Sequence, residues 1–270
     1  MGKPNSSDCL TLNVTSGQWE RGTLTNGLPE DDVQGVINLD GEGAIVVHSN
    51  GISILATGSE SWVAGPIFLE PAVCGCNISS TSFVTIHMSA TKNVRQYSFS
   101  SNTITPEDIN LWPDLRTTRW GPACGATFYH LLVAGGVSHW DEVLSSVEVF
   151  DISSRSLRRG GSLQRPRAYF QMIPVGFKHP RLLAIGGKDS NSTLSTSEWW
   201  EEQEDRWEDG PSMTSGRSSL SSLMAPPHLV CLGTDPPAYS CPAVVSTEQM
   251  CNLEPGIHNQ LSGGSGILNY

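Results

Sequence analysis

Metal centres and nucleophilic sites are built from a few side-chain types, and this chain of 270 residues carries seven histidines and seven cysteines. The histidines stand at 48, 87, 130, 139, 179, 228 and 258. None falls in a His-x-His or His-Glu-x-x-His pattern, the spacings that bring two imidazoles to one metal. The cysteines, at 9, 74, 76, 124, 231, 241 and 251, include no Cys-x-x-Cys pair. Cys74-Gly75-Cys76 is too short for the usual zinc half-site. There is no Gly-x-Ser-x-Gly nucleophile turn and no phosphate-cradling loop that ends in lysine. His48 and His130 read as structural residues beside buried strands. The sequence therefore predicts no catalytic, cofactor or metal residues.

The formal net charge is −11. Such a surface repels a polyanion, which argues against nucleic-acid binding. The nearest basic group, Arg155, Arg158, Arg159, Arg165 and Arg167, reads as solvated strand and loop residues rather than a phosphate site. Glu201 to Asp205 reads as a solvated hairpin turn. No run approaches the roughly 20 apolar residues of a membrane-spanning helix. With 27 glycines, 17 prolines and only 16 % charged residues, the composition suits many short strands joined by turns.

Internal periodicity organises those strands. Leu12-Asn13, Phe150-Asp151 and Trp200-Glu201 each place a large apolar residue before a polar one. Six residues after the polar one come Trp19, Leu157 and Trp207, and three further on come Gly22, Gly160 and Gly210. A fourth copy has Leu55-Ala56, Trp62 and Gly65. A fifth has Tyr97-Ser98 and Ile104 but lacks the glycine. Positions 19, 62, 104, 157 and 207 lie 43, 42, 53 and 50 residues apart. That is the roughly 40 to 50 residues of one four-stranded propeller blade.

A second element recurs in step with the first. Leu131 to Ala134 runs into Gly135-Gly136, and Leu182 to Ile185 runs into Gly186-Gly187. Leu229 to Leu232 meets Gly233-Thr234, and Ala44 to Val47 meets His48-Ser49, where both glycines are gone. A strand buried on both faces must be apolar throughout. A glycine pair lets the backbone take positive φ and pack closely against its neighbour. A Trp on an outer strand fills the widening wedge between blades.

The apolar strand, double glycine, Trp-x-x-Gly and following arginine resemble the Kelch repeat over roughly residues 8 to 235. The segment from Arg206 to Met213 with Arg217 is the closest match. The resemblance implies an all-β propeller of four-stranded Kelch-like blades, about six or alternatively five, closed by strands from both termini. The propeller would span 8–256, with 257–270 a C-terminal segment that supplies inner strands of the closing blade. One blade is expected near 123–129, 131–134, 146–150 and 156–159, and the next near 169–175, 182–185, 197–200 and 206–209. In the five-blade ring the strand of Cys231 lies beside that of Cys9. In the six-blade ring, the preferred one, Ala243 to Val245 and Met250 to Leu253 complete a separate blade. Leu253-x-x-Gly256 repeats the Trp-x-x-Gly offset there.

The same resemblance implies a non-enzymatic binding scaffold for a protein partner or a glycan, without cofactor and as a monomer. An intracellular adaptor that recruits a protein is the alternative. A copper radical oxidase is a distant third, since no tyrosine and histidine ligands visibly converge. No adaptor domain is evident, so that role is not carried over. Loops after the glycine pairs are the candidate binding elements: 137–144, with His139, Trp140, Asp141 and Glu142, and 188–194, with Lys188 and Asp189. Trp140 either anchors a partner or packs within its blade.

Asn5, Asn13, Asn77 and Asn191 begin Asn-x-Ser/Thr sequons, with the last three as glycosylation candidates. Cys74 and Cys76, two apart on one strand, would share a face, either as small buried residues or as disulfide partners. Cysteine content, sequons and only four lysines point to an extracellular or secretory-pathway protein, with the cytoplasm as the alternative.

Overall fold

The computed structural model describes residues 8–13, 18–23, 33–39, 43–56, 61–88, 93–100, 103–108, 110–176, 180–225, 228–234 and 243–246. Leu253, Gly256, Asn5, Cys241, Cys251 and the segment 257–270 lie outside them.

Twenty-one strands among the described residues form six antiparallel sheets. β1 (Asp8–Asn13) pairs with β2 (Gln18–Thr23). Four complete four-stranded blades follow in chain order. Blade A holds β3 (Val33–Leu39), β4 (Gly43–His48), β5 (Gly51–Ala56) and β6 (Val63–Ile67). Blade B holds β7 (Ala72–Ser79), β8 (Ser82–His87), β9 (Val94–Ser100) and β10 (Thr103–Pro106). Blade C holds β11 (Ala123–Ala126), β12 (His130–Ala134), β13 (Val147–Asp151) and β14 (Leu157–Arg159). Blade D holds β15 (Gln171–Val175), β16 (Arg181–Ile185), β17 (Ser197–Glu201) and β18 (Arg206–Asp209). A three-stranded sheet of β19 (Ser218–Ala225), β20 (His228–Thr234) and β21 (Ala243–Ser246) comes last. The innermost strands β3, β7, β11, β15 and β19 adjoin in succession. The architecture is an all-β propeller.

Among the described residues four blades are complete, against the sequence expectation of about six, and the two flanking sheets have three strands and two. β20 lies between β19 and β21, with Cys231 facing Ser222 and Ala243, while Cys9 faces Gly22. The strand of Cys231 is thus not beside the strand of Cys9.

The apolar runs are continuous because successive side chains enter different cores. Leu132 and Ala134 of β12 join Leu182, Ala184, Trp200 and Trp207 between blades C and D. Their neighbours Leu131 and Val133 join Val84, Ile86 and Phe150 between blades B and C. Ile45, Val47, Phe83 and Phe99 fill the space between blades A and B. Each strand face belongs to a different inter-blade layer, so no face is left for polar residues.

The repeat offset proves to be a register. Leu12 faces Trp19, Phe150 faces Leu157, and Trp200 faces Trp207 across the outermost hairpin of each sheet. In blades C and D the turn places Arg155 and Asp205 at positive φ, 58° and 49°. Trp207 is buried, and its indole donates to the Gly161 carbonyl at 3.0 Å, tying blade D to the linker from blade C. The copy in blade A keeps the register: Trp62 stands just before β6, one step beyond the pair Ile54–Val63, where the continuing register sets it opposite Leu55. It is of intermediate exposure, with its indole nitrogen buried. The copy in blade B departs from the pattern. Ile104 faces Phe99, and Tyr97 faces Pro106, because the hairpin of blade B is two residues tighter than the offset assumed.

Candidate functional site

Both glycine pairs take left-handed backbone. Gly135 and Gly136 have φ of 60° and 92°, and Gly186 and Gly187 have 65° and 91°. A Cβ on Gly135 would stand 2.2 Å from the Arg167 carbonyl oxygen, inside any permitted contact. The pair turns the chain off strands β12 and β16 onto one face of the disc. There each loop makes a short ladder with the linker from the preceding blade. Trp120 bridges Val137, which bridges Val143; Ala168 bridges Lys188, which bridges Thr193.

The linker arginines hold this arrangement. Arg167 donates to the carbonyls of Gly186 and Thr196 at 2.8 and 3.1 Å and to Glu198 at 2.6 Å. Its own carbonyl accepts from Gly136 of the preceding blade at 2.9 Å. Arg119 repeats the pattern one blade earlier, with Gly135, Ser146 and Glu148 at 2.9, 2.7 and 3.1 Å. Glu198 also accepts the Gln164 and Arg165 amides, as Glu148 accepts those of Arg116 and Thr117. Burial pulls both guanidiniums below their usual pKa, and the facing carboxylates oppose that shift. Arg167, read from sequence as a solvated residue, is 0 % exposed. Its charge is spent inside the protein.

The sequence-predicted loop residues meet on this face. Loop 137–143 is shaped by buried Ser138, whose hydroxyl accepts the amides of Trp140 and Glu142 at 3.2 and 3.3 Å. Its tip holds Trp140 79 % exposed, which removes the blade-packing alternative for that residue. The His139 ring stands 4.2 Å from the Trp140 ring. Loop 188–193 turns around Asp189, whose carboxylate accepts the amides of Asn191 and Ser192 at 2.8 and 2.7 Å. Those two amides hold the Asp189 carboxyl below its usual pKa.

Between the loops lies a cleft of about 510 Å³, lined by Val137, Asp141, Val143, Tyr169, Lys188 and residues 189–193. Lys188 Nζ sits 4.7 Å from the centre of the Tyr169 ring. Sequence reasoning missed Tyr169 and Trp120. Tyr169 has φ of 54°, an αL conformation that costs a bulky residue on the order of 1–2 kcal/mol. The equivalent positions, two residues after Arg119 and Arg217, are Gly121 at 55° and Ser219 at 51°. The Tyr169 amide donates to the Gly121 carbonyl and its carbonyl accepts from Ser219, both at 2.8 Å. The fold imposes αL at this step of the three linkers that carry Arg119, Arg167 and Arg217, and of these only the one before blade D places an aromatic there. The signal for it in the sequence was the spacing of Arg119, Arg167 and Arg217, which follows the blade pitch.

The opposite face carries the turns between β11 and β12 and between β13 and β14, with Phe128 and Tyr129 exposed. Among the described residues no group of three or more His, Cys, Asp or Glu side chains is placed to hold a metal ion. Asn191 is exposed on the cleft rim, and Asn77 is half-buried in β7. Cys74, Cys76 and Cys124 are free thiols, not disulfide partners. Burial pushes Cys74 and Cys124 up in pKa, and a hydrogen bond with Cys124 does so for Cys76. His48 and His130 are structural, as expected: His48 bonds the Ser53 hydroxyl at 3.0 Å, and His130 pairs with Glu202 at 2.5 Å.

No family model matches the chain. Two proteins of Caenorhabditis elegans are similar to part of it. One, the Kelch repeat and BTB domain-containing protein F47D12.7, is 29 % identical over 105 residues. The other, the Kelch repeat-containing protein kel-10, is 27 % identical over 105 residues. Each match takes in 38 % of this chain and 18 % of the relative's length. The blades, the glycine pairs and these similarities agree: the chain folds as a Kelch-type β-propeller.

Proposed function

We propose that this propeller is a non-enzymatic scaffold that binds a protein partner on the face where loops 137–143 and 188–193 meet. The observation that carries the reading is the concentration of exposed aromatics there. Tyr169, 38 % exposed, lines the cleft; Trp140, 79 % exposed, precedes the cleft residue Asp141, and Trp120, 51 % exposed, bridges the cleft residue Val137, on backbone fixed by glycine pairs and buried arginines. Exposed Trp and Tyr on a rigid support are the residues that dominate binding hot spots. The test is capture of partners by the intact protein, compared with Trp140→Ala and with Phe128→Ser on the opposite face. A partner lost with the first and kept with the second supports the reading; the reverse sinks it.

The same reading uses a ring of six blades, in which β19–β21 starts one blade and β1–β2 forms the outer half of another. The third strand that β21 gives to β20 supports this count. A Cys9–Cys231 cross-linked peptide would contradict it.

We place the protein in the secretory pathway on the strength of its sequons, with Asn191 accessible on the cleft rim. One observation favours the second reading, an intracellular adaptor. Cys74, Cys76 and Cys124 are free thiols, the form that a reducing compartment maintains. Mass measured before and after glycosidase treatment decides between the two.

A further inference from the structure

Resting on that reading of the face, we infer that the partner presents an arginine-bearing extended segment to this cleft. The charges there are unevenly committed. Lys188 is laid over the Tyr169 ring, and Asp189 commits its Oδ1 to two backbone amides of its own loop. Asp141 lines the cleft and Glu142 follows it on the exposed tip, and among the described residues neither carboxylate has an ion-pair or hydrogen-bond partner. Two carboxylates next to the exposed Trp140 indole leave a position for a cation that is also flat. A guanidinium meets both demands, since it forks onto carboxylates and stacks on aromatic faces, whereas an ammonium meets only the first well.

The molecule already uses this chemistry within itself. Arg155 stacks on Trp112 at 4.0 Å and Arg181 on Trp199 at 4.9 Å. Trp140, unlike those two buried rings, is 79 % exposed, with the His139 ring 4.2 Å away and no Lys or Arg cation over it among the described residues. The net charge of −11 adds a field that draws a basic segment in and turns an acidic one away. Asp141 sits at φ of 60°, which asparagine tolerates, so its charge can be removed without disturbing the loop.

The test uses the intact protein and fluorescent Gly-Ser peptides that carry arginine, citrulline or glutamate at the same places. Fluorescence anisotropy reads the affinity. Arginine peptides should bind at least about tenfold more tightly than citrulline or glutamate peptides. That preference should vanish in Asp141→Asn/Glu142→Gln, and binding should fall in Trp140→Ala. Circular dichroism confirms that each variant folds. Equal binding of arginine and citrulline, or an unchanged preference in the neutralised variant, would overturn the inference. Absence of arginine-peptide binding alongside Trp140-dependent capture of a partner would overturn it too, while leaving the binding face standing. Loss of Trp140 dependence in both assays would remove the face itself.

Discussion

The Arg167 guanidinium reaches Glu198 at 2.6 Å with both side chains buried, and Arg119 stands to Glu148 in the same way at 3.1 Å. Each pair joins a linker to the second and third strands of the blade it enters. The Arg167 carbonyl in turn accepts the Gly136 amide of blade C, the blade it leaves. The clasp therefore sets the angle between blades, and with it the position of the loops above.

Removing one member leaves an uncompensated buried charge, which costs about 3–5 kcal/mol. Arg167→Met should lose that much stability in urea unfolding. Glu198→Leu should lose more, because it also orphans the amides of Gln164 and Arg165. A loss below about 1 kcal/mol for either would show that the pair does not hold the blades.

Trp207 fills the layer between blades C and D, and Trp62 stands half-buried before β6. Trp207→Ala should cost about 3–5 kcal/mol through the cavity it leaves. Trp62→Ala should cost clearly less. Equal losses in thermal or chemical unfolding would mean that the two positions pack alike.

Gly135→Ala must place a Cβ against the Arg167 carbonyl and hold φ at 60°. Gly186→Ala meets the same left-handed backbone at 65°. Each should lose about 1–3 kcal/mol. Unchanged midpoints in both would remove the physical basis of the glycine pair.

His87 lies buried with its ring edge-on to Phe68. Burial lowers its pKa to about 4, and the hydrogen bond to the Glu70 carbonyl only partly offsets this. The unfolded chain takes up the proton near pH 6.5, while the folded chain resists it until about 4. The neutral ring's contribution is complete above 6.5 and is lost as pH falls toward 4, about 3 kcal/mol in all. His87→Gln should flatten that part of the stability profile between those values. Glu70 and Arg95 form an ion pair beside it, so the comparison is made at constant salt. Identical pH profiles for the two proteins would show that His87 is not the titrating group.

Much of this fold is legible in the residues, because a propeller repeats its packing problem at each blade. The seven-residue step from Trp200 to Trp207 is a cross-strand pair, and the glycine pairs mark real left-handed turns. Blade A was harder to read since His48 and Ser49 replace its glycines, and the hairpin of blade B is two residues tighter. The loops were legible as binding candidates, but their floor was not. Tyr169 gives no local sign of αL backbone, which is imposed by hydrogen bonds to Gly121 and Ser219 in neighbouring linkers. The Arg–Glu clasps span about thirty positions and look like solvated charges until the strands are paired.

Hydrogen exchange of the partner-bound protein tests the binding face most directly. Binding should slow exchange in 137–143, in 188–193 and at the linker positions around Trp120 and Tyr169, while turns 127–130 and 152–156 stay unchanged. Protection confined to those opposite turns, with the cleft loops unaffected, would contradict the account.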